Sequence, residues 1–277
     1  MSSAFSEILI VIPLYNHAGT VFEVIEQCRK VHDHILVVND GSTDLEHDRR
    51  TENPGSETVS WIHHTRNLGK GAAIKTAVEY AGKNGYSHLV TIDADLQHDP
   101  AEFNHFKAAI QASPEALIVG KRDFESARVP AGSRFGRRFS NFWFRVQTGR
   151  AIGDAQSGFR AYPLYLFDHL SLPSNGYPFE IEVLVRSAWA GVPVRDLDIS
   201  VYYPPPDRHI SHFSRTWDNI RLTHLNTRLT FRSFLPVPHR QITSQDSPKF
   251  SIFSPLVPLR TFLARNLTPF EIAMAAA

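Results

Sequence analysis

Cysteine is almost absent from this 277-residue sequence: Cys28 is the only one, which excludes an internal disulfide or a zinc-finger framework and fits a reducing compartment. Net charge is almost absent too. Lys and Arg number 29 against 28 Asp and Glu, a formal +1, so nothing global points to nucleic acid, and electrostatic recognition must come from local clusters. No run approaches the roughly 20 apolar residues of a membrane span. The start, Met-Ser-Ser-Ala-Phe-Ser-Glu, lacks the charged end and apolar stretch of a signal peptide. The chain is therefore expected in the cytoplasm, or attached to the cytoplasmic face of a membrane without crossing it. Two phosphate-binding signatures are missing as well: the Gly-x-x-x-x-Gly-Lys-Ser/Thr spacing, and a Gly-x-Gly-x-x-Gly after the first strand. This disfavours P-loop and dinucleotide-oxidoreductase chemistry. Histidines 63, 64, 98, 209 and 212 lack paired zinc-ligand spacing, so no zinc site is assigned.

What is present is an ordinary globular composition, 42% apolar and 21% charged, with a regular alternation of patterns. Ile8–Ile12, Ile35–Val38, Val59–His63 and Leu89–Ile92 are short β-branched-rich runs, whereas Val21–Lys30 and Lys70–Lys83 carry apolar residues at helical spacing. The alternation predicts βαβ units and an α/β fold with a mostly parallel central sheet. Ligands of such sheets lie outside the carboxyl ends of the strands. The segments there are all polar: Pro13-Leu14-Tyr15-Asn16-His17, Asn39-Asp40-Gly41-Ser42-Thr43-Asp44, Arg66-Asn67-Leu68-Gly69-Lys70-Gly71, and Asp93-Ala94-Asp95-Leu96-Gln97-His98. Asp93 and Asp95 form a carboxylate pair at a buried strand end, costly unless a cation or strong donors compensate it. A hard ion, Mg²⁺ or Mn²⁺, is the simplest compensation, since it takes oxygen ligands and substrate phosphates. Small residues opening a helix at Gly69 let backbone N–H groups and Lys70 approach a phosphate; a plain glycine-containing helix start is the equal alternative.

Further on, Ala101–Ala112 reads as a helix capped by Asp99, Ala116–Gly120 as a strand, Phe179–Ala190 as a helix, Val192–Tyr203 as an edge strand, and Trp217–Phe234 as a helix. Between Ser126 and Gly153 there is no acidic residue, but Arg128, Arg134, Arg137, Arg138, Arg145 and Arg150 interleave with Phe135, Phe139, Phe142, Trp143 and Phe144. This composition predicts a helix at a lipid headgroup layer, in preference to a core helix with a charged outer face or a nucleic-acid surface. Asp207–Phe213 is a polar loop that could close over a site. Residues 236–258 look like a linker, and 259–277 like an amphipathic segment that opens a membrane domain.

Taken together, these motifs, with Asp154-x-x-Ser157-Gly158-Phe159, resemble the family 2 glycosyltransferases, and within them the polyprenyl-phosphate sugar transferases of the dolichol-phosphate mannose synthase type. The resemblance spans about Ile8 to Phe213, with the motifs in order. It implies a GT-A fold over residues 1–235, with a nucleotide-sugar half (1–98) and an acceptor half (99–235). It also implies a UDP- or GDP-sugar donor and a divalent metal. Pro13, Tyr15, Asn16, Asp40, Gly69, Lys70 and Asp93 then bind the donor, and Asp93, Asp95 and Gln97 surround the metal. Arg122 and Arg134 hold phosphates of donor and acceptor. This chain departs from the family at His17, where an acid is usual, and at His209-Ile210-Ser211-His212.

A sugar hydroxyl as acceptor needs a carboxylate base, but a lipid monophosphate, with a second pKa near 6, is already largely anionic at pH 7. The arginines beside an interface-type helix favour the phosphate acceptor, a polyprenyl phosphate at a membrane surface, and the resemblance implies that this acceptor attacks the anomeric carbon in a single displacement with inversion. Asp154 and Glu182 are candidates for acceptor positioning or base work, with a structural role equally open at each. Rival readings are a transferase using a hydroxyl acceptor and a nucleotide-sugar-binding scaffold without turnover. A haloacid-dehalogenase-type phosphatase places Thr or Val where this chain has Gln97.

Overall fold

An apolar run without alternation, as in Ile8–Leu14, belongs to a strand covered on both faces. The computed structural model of the protein describes residues 7–45, 58–123, 131–202, 215–235, 239–242 and 250–251. There, β1 (Ile8–Leu14) pairs in parallel with β2 (Ile35–Asn39) and β4 (His88–Thr91), and β3 (Val59–His63) adds in parallel to β2. Beyond β4 the direction reverses. β6 (Arg160–Pro163) runs antiparallel to both β4 and β5 (Leu117–Arg122), and β7 (Val194–Ile199) lies parallel to β5 at the edge. The order is β3-β2-β1-β4-β6-β5-β7. The mostly parallel sheet and the edge position of the 192–203 segment are as expected from sequence.

Strand residues alternate between two cores. Leu9, Val11, Leu36 and Val38 pack with Ala73, Ile74 and Ala77 of α2 (Lys70–Lys83), and with α6 (Pro178–Trp189). Ile8, Ile10 and Ile12 face Val21, Val24 and Ile25 of α1 (Ala18–Arg29), and Phe103, Phe106 and Ile110 of α3 (Phe103–Ala112). Each fully buried aliphatic side chain contributes about 1.5–3 kcal/mol. Asp99 accepts a hydrogen bond from Ala101 N at 2.9 Å and starts the 3₁₀ turn Pro100–Glu102 that leads into α3, the expected cap.

Two further helices, α4 (Ala131–Thr148) and α7 (Arg215–Phe234), pack on the α6 side of the sheet, and a short α5 (Tyr165–His169) follows β6. Gln147 of α4 donates to Asn226 Oδ1 at 3.1 Å, and Arg228 of α7 donates to Glu182 of α6 at 2.7 Å. Part of the expected linker is structured: β8 (His239–Arg240) pairs antiparallel with β9 (Phe250–Ser251), and Ile242 N donates to Ala190 O at 2.9 Å. The 207–213 loop and residues 259–277 lie outside the described residues.

Arg160 on β6 is fully buried, and its guanidinium donates to the carbonyls of Ser157 (2.5 Å), Glu180 (2.6 Å) and Ala155 (2.8 Å). It thereby fastens the 154–157 loop to the start of α6. Arg160→Met leaves buried carbonyls without donors, and unpaired buried groups cost about 1–3 kcal/mol each. A markedly lower midpoint in urea is the expected result, with no change in the slope of the transition.

Candidate active site

The loops at the carboxyl ends of β1 and β2 are tied to each other. Asn16 N donates to Ser42 Oγ (2.9 Å), Thr43 N to Asn16 Oδ1 (2.9 Å), and Ala18 N to Asp44 Oδ2 (2.8 Å). Asn16 itself sits at φ +52°, a left-handed conformation that Asn tolerates. Half-buried Pro13 ends β1 beside Leu14, and half-buried Tyr15 opens this loop. Asp40 is placed differently from a residue open to the donor. Its buried carboxylate accepts from Leu68 N (2.9 Å) and Gly69 N (2.7 Å), and Oδ1 lies 2.6 Å from His64 Nδ1. It therefore fixes the loop that starts α2. Gly41, at φ +70°, permits that approach: a Cβ there would come within 2.6 Å of the Arg66 Cα and the Asn67 N.

Lys70, carried by the first residue of α2, reaches the end of β4. Its Nζ lies 2.6 Å from Asp93 Oδ1 and 2.9 Å from Glu180 Oε1 at the start of α6. Burial disfavours both charged forms, yet the ammonium prevails at Asp93, whose carboxyl is held down to about 2, and the two carboxylates raise the Lys70 pKa above its ordinary value. Gly158 closes the cluster, since a Cβ there would come within 2.7 Å of Lys70 Nζ. Lys70 thus supplies part of the compensation for which a hard metal ion is the simplest expectation from sequence. Two residues on, Asp95 Oδ1 accepts from Gln97 N at 3.0 Å across Leu96, which is held at φ +62°. A bulky residue in that region stores strain of about 1–3 kcal/mol, typical of functional sites. Thr20 Oγ1 donates to Ala94 O at 2.5 Å and anchors the same turn.

His98 is buried behind this turn with its Nδ1 unpartnered, and burial lowers its pKa to about 4. Unfolded, the imidazole protonates near pH 6.5. The stability tied to neutral His98 is therefore full above about pH 6.5 and declines as the pH falls to about 4, by something on the order of 2–3 kcal/mol. Asp93 keeps its own contribution through that window and loses it only as the pH falls through about 2. His98→Gln is expected to flatten the fall in urea stability between pH 7 and pH 4.5.

Across the sheet edge, Arg122 at the end of β5 grips Asp154 with both arms of its fork, Nε to Oδ2 at 2.6 Å and Nη2 to Oδ1 at 3.1 Å. Asp154 is fully buried, and Gln156 N also donates to it at 3.2 Å. Glu182, equally buried, accepts from Ser174 N (2.9 Å), Arg186 (3.0 Å) and Arg228 (2.7 Å). Both acids are held by cations. Arg134 is exposed on the first turn of α4, and Arg137 donates to Arg122 O at 3.1 Å. The structure therefore gathers Lys70, Asp93, Arg122 and Asp154 around His98, while Asp40, Asn16 and Glu182 make hydrogen bonds within the surrounding loops and helices.

The expectation of a lipid-surface helix over the whole arginine and aromatic segment needs correction. Phe142 and Phe144 of α4 are core residues, and Gln147 O accepts from Trp189 Nε1 at 2.7 Å, so the carboxyl half of α4 is a packed helix. Only the amino-terminal half presents aromatics outward: Phe135 is 56% exposed and stacks on Phe139, which meets Trp143 edge-on. Among the described residues no helix is long and apolar enough to cross a membrane.

Among the described residues no three His, Cys, Asp or Glu side chains converge as a ready-made metal cage. The oxygen-only set of Asp93, Asp95 and Gln97, on a strained turn, nonetheless suits Mg²⁺ or Mn²⁺. Such ions are held by one or two carboxylates and complete their shell with substrate phosphates and water. Sequence reasoning missed Glu180, Arg160 and Arg137. Glu180 and Arg160 carried only the signal of a charged residue in an otherwise apolar stretch.

A protein-family model described as Glycosyl transferase family 2 matches residues 9–170. A polyprenol monophosphomannose synthase of Mycolicibacterium smegmatis is 31% identical over 206 residues, covering 69% of this chain and 76% of that protein. An undecaprenyl-phosphate mannosyltransferase of Micrococcus luteus is 26% identical over 205 residues, covering 70% and 82%. Among solved structures, glucosyl-3-phosphoglycerate synthase from Mycobacterium tuberculosis, in complex with Mn²⁺, UDP and phosphoglyceric acid, superimposes with a TM-score of 0.61. The alignment has 18% identity and covers 91% of this chain and 88% of that one, a likeness of fold.

Proposed function

The chain belongs to glycosyl transferase family 2, and from that premise we propose that it moves a sugar from a nucleotide-sugar to a polyprenyl phosphate at a membrane surface. One observation carries the choice of acceptor. The two acids that the sequence nominates as a general base, Asp154 and Glu182, are fully buried and committed to arginines. A hydroxyl nucleophile needs such a base, whereas a phosphate monoester is already anionic near neutral pH. The named relatives, a polyprenol monophosphomannose synthase and an undecaprenyl-phosphate mannosyltransferase, support the same choice.

In this reading residues 1–98 form the donor half and 99–235 the acceptor half. Pro13 and Tyr15 flank the base and ribose, and Asp40 acts indirectly by fixing Leu68 and Gly69, and with them Lys70. As the bond between the anomeric carbon and the diphosphate breaks, negative charge grows on the leaving oxygen, and donors already in place stabilise it without reorganising. Lys70 has three N–H donors, two of which face Asp93 and Glu180, so the remaining one serves the donor phosphates. Asp93, Asp95 and Gln97 would hold Mg²⁺ or Mn²⁺, which would supply further neutralisation of the diphosphate. Arg122, kept in orientation by Asp154, and Arg134 on the open turn of α4 hold the acceptor phosphate for attack from the opposite face, which inverts the anomeric carbon. The outward Phe135, with Phe139 stacked on it, beside Arg134 and Arg138 suits contact with an anionic lipid surface.

The acceptor choice is tested by offering polyprenyl phosphate and the corresponding polyprenol together, with donor and metal. Sugar is expected on the phosphate alone. Sugar on the alcohol would establish the hydroxyl-acceptor reading instead.

A further inference from the structure

The ammonium of Lys70 is shared unequally. It donates a hydrogen bond to Asp93 Oδ1 at 2.6 Å. Glu180 Oε1 lies 2.9 Å from the same nitrogen as an ion pair, yet this oxygen is buried and has no hydrogen-bond partner. A buried carboxylate oxygen in that state calls for a reason. The helix dipole supplies only part of one. It favours an acid on the first turn of α6, but it does so equally for an acid turned to solvent, and Glu180 is only 7% exposed.

Nor does Glu180 meet Lys70 through looseness of the backbone. Its carbonyl accepts from the buried Arg160 at 2.6 Å, and Ala72 N of α2 donates to Asn175 O, just before α6, at 2.9 Å. The starts of α2 and α6 lie so close that a Cβ on Gly71 would come within 2.5 Å of the Phe179 Cβ. Glu180 is thus carried at a fixed place beside Lys70, and a turn of the lysine side chain is enough to pass its hydrogen bond from one acid to the other.

Asp93 has a second claim on it. As a ligand for Mg²⁺ or Mn²⁺ it would bring a divalent ion next to the ammonium that shares its carboxylate, and the two cations repel. A lysine without another partner would hold the ion off or be driven from the site. We propose that Glu180 is a positioning residue, which receives the Lys70 hydrogen bond when Asp93 turns to the divalent ion and so keeps the ammonium beside the donor diphosphate. No proton is transferred, and only the hydrogen bond changes partner. The proposal rests on the metal and nucleotide-sugar reading above and gives that site a carboxylate outside the metal ligands.

Glu180→Gln keeps the shape of the side chain and removes its charge. Mn²⁺ is titrated into the full chain with UDP or GDP present, and the free ion is read by electron paramagnetic resonance. The substitution is expected to weaken Mn²⁺ binding about tenfold, the lower range for a partner outside the ligand shell. Made on top of Lys70→Met, it should leave the Mn²⁺ affinity unmoved, because no ammonium remains to be relocated. An equal loss in both backgrounds would mean that Glu180 attracts the ion only through space and would overturn the proposal, as would an unchanged affinity in the single variant. The wild-type chain supplies a measurement free of any effect on folding. In a crystal structure with Mn²⁺ and the nucleoside diphosphate, Lys70 Nζ should donate to Glu180 Oε1 and no longer to Asp93. Mn²⁺ on Asp93 with the Lys70 hydrogen bond still in place there would remove the inference alone. If the wild-type chain bound Mn²⁺ with neither UDP nor GDP, the donor-site reading itself would fail and take this inference with it.

Discussion

Lys70→Met is expected to lower kcat/KM by about a thousandfold, the upper range for removal of one preorganised donor to a developing anion. The substitution takes away a cation placed between Asp93 and Glu180, which are 29% and 9% exposed. It leaves two facing carboxylates with no charge between them, so the Asp93 pKa, now held to about 2, should rise. Most of the loss should fall on kcat, because the charge on the leaving diphosphate grows only as the bond breaks. Steady-state kinetics with the donor varied, together with calorimetric binding of the nucleoside diphosphate, separate the two contributions. A lysine that only supported the fold would give the opposite pattern, lower unfolding stability with kcat kept. Lys70→Arg should not rescue the enzyme. A planar fork does not replace a compact ammonium in a site where Gly158 has no room even for a methyl group.

Asp154→Asn should have the next largest effect. The carboxylate is fully buried and holds both arms of Arg122, so an amide of the same shape sets an N–H₂ group against a guanidinium and removes the charge that grips its fork. Breaking a buried pair in this way costs about 3–5 kcal/mol of stability. The acceptor phosphate should also lose a correctly oriented arginine, with kcat/KM falling about a hundredfold. A double-mutant cycle identifies the cause. With Arg122→Met, the added change Asp154→Asn should cost little more, a coupling of about 2–3 kcal/mol. Additive losses would mean that the two residues act separately.

Much of this was legible in the sequence because parallel strands covered on both faces must read as unbroken apolar runs, and β1, β2 and β4 do. The polar segments after those runs could then be assigned to one edge, and the family resemblance built on them is borne out by the match over residues 9–170. The reversal of β6 was not legible. Four residues, Arg160–Pro163, carry no directional signal, and their antiparallel pairing depends on the loop that Arg160 fastens to α6. Nor could sequence show which way Asp40 points, since its partners, the N–H groups of Leu68 and Gly69, come from a loop far along the chain. The segment rich in arginine and aromatics misled for a similar reason. Phe135 and Phe142 look alike in composition, and only packing against α6 and α7 makes the second a core residue. Lys70 was recognised beside a phosphate site. Its partner Glu180 was not, because a single acid at the start of a helix is equally explained by the helix dipole.

The central claim is that charge compensation around Asp93 and Asp95 drives release of a nucleoside diphosphate to a lipid phosphate. It is tested most directly by incubating the purified chain with radiolabelled nucleotide-sugars, polyprenyl phosphate and Mg²⁺ or Mn²⁺, and measuring label in the organic phase. Label should enter the lipid for at least one donor, disappear when the metal is chelated, and be absent with Asp95→Ala. Label in a water-soluble or polyprenol product with none in the lipid phosphate, or full transfer by Asp95→Ala, would contradict it.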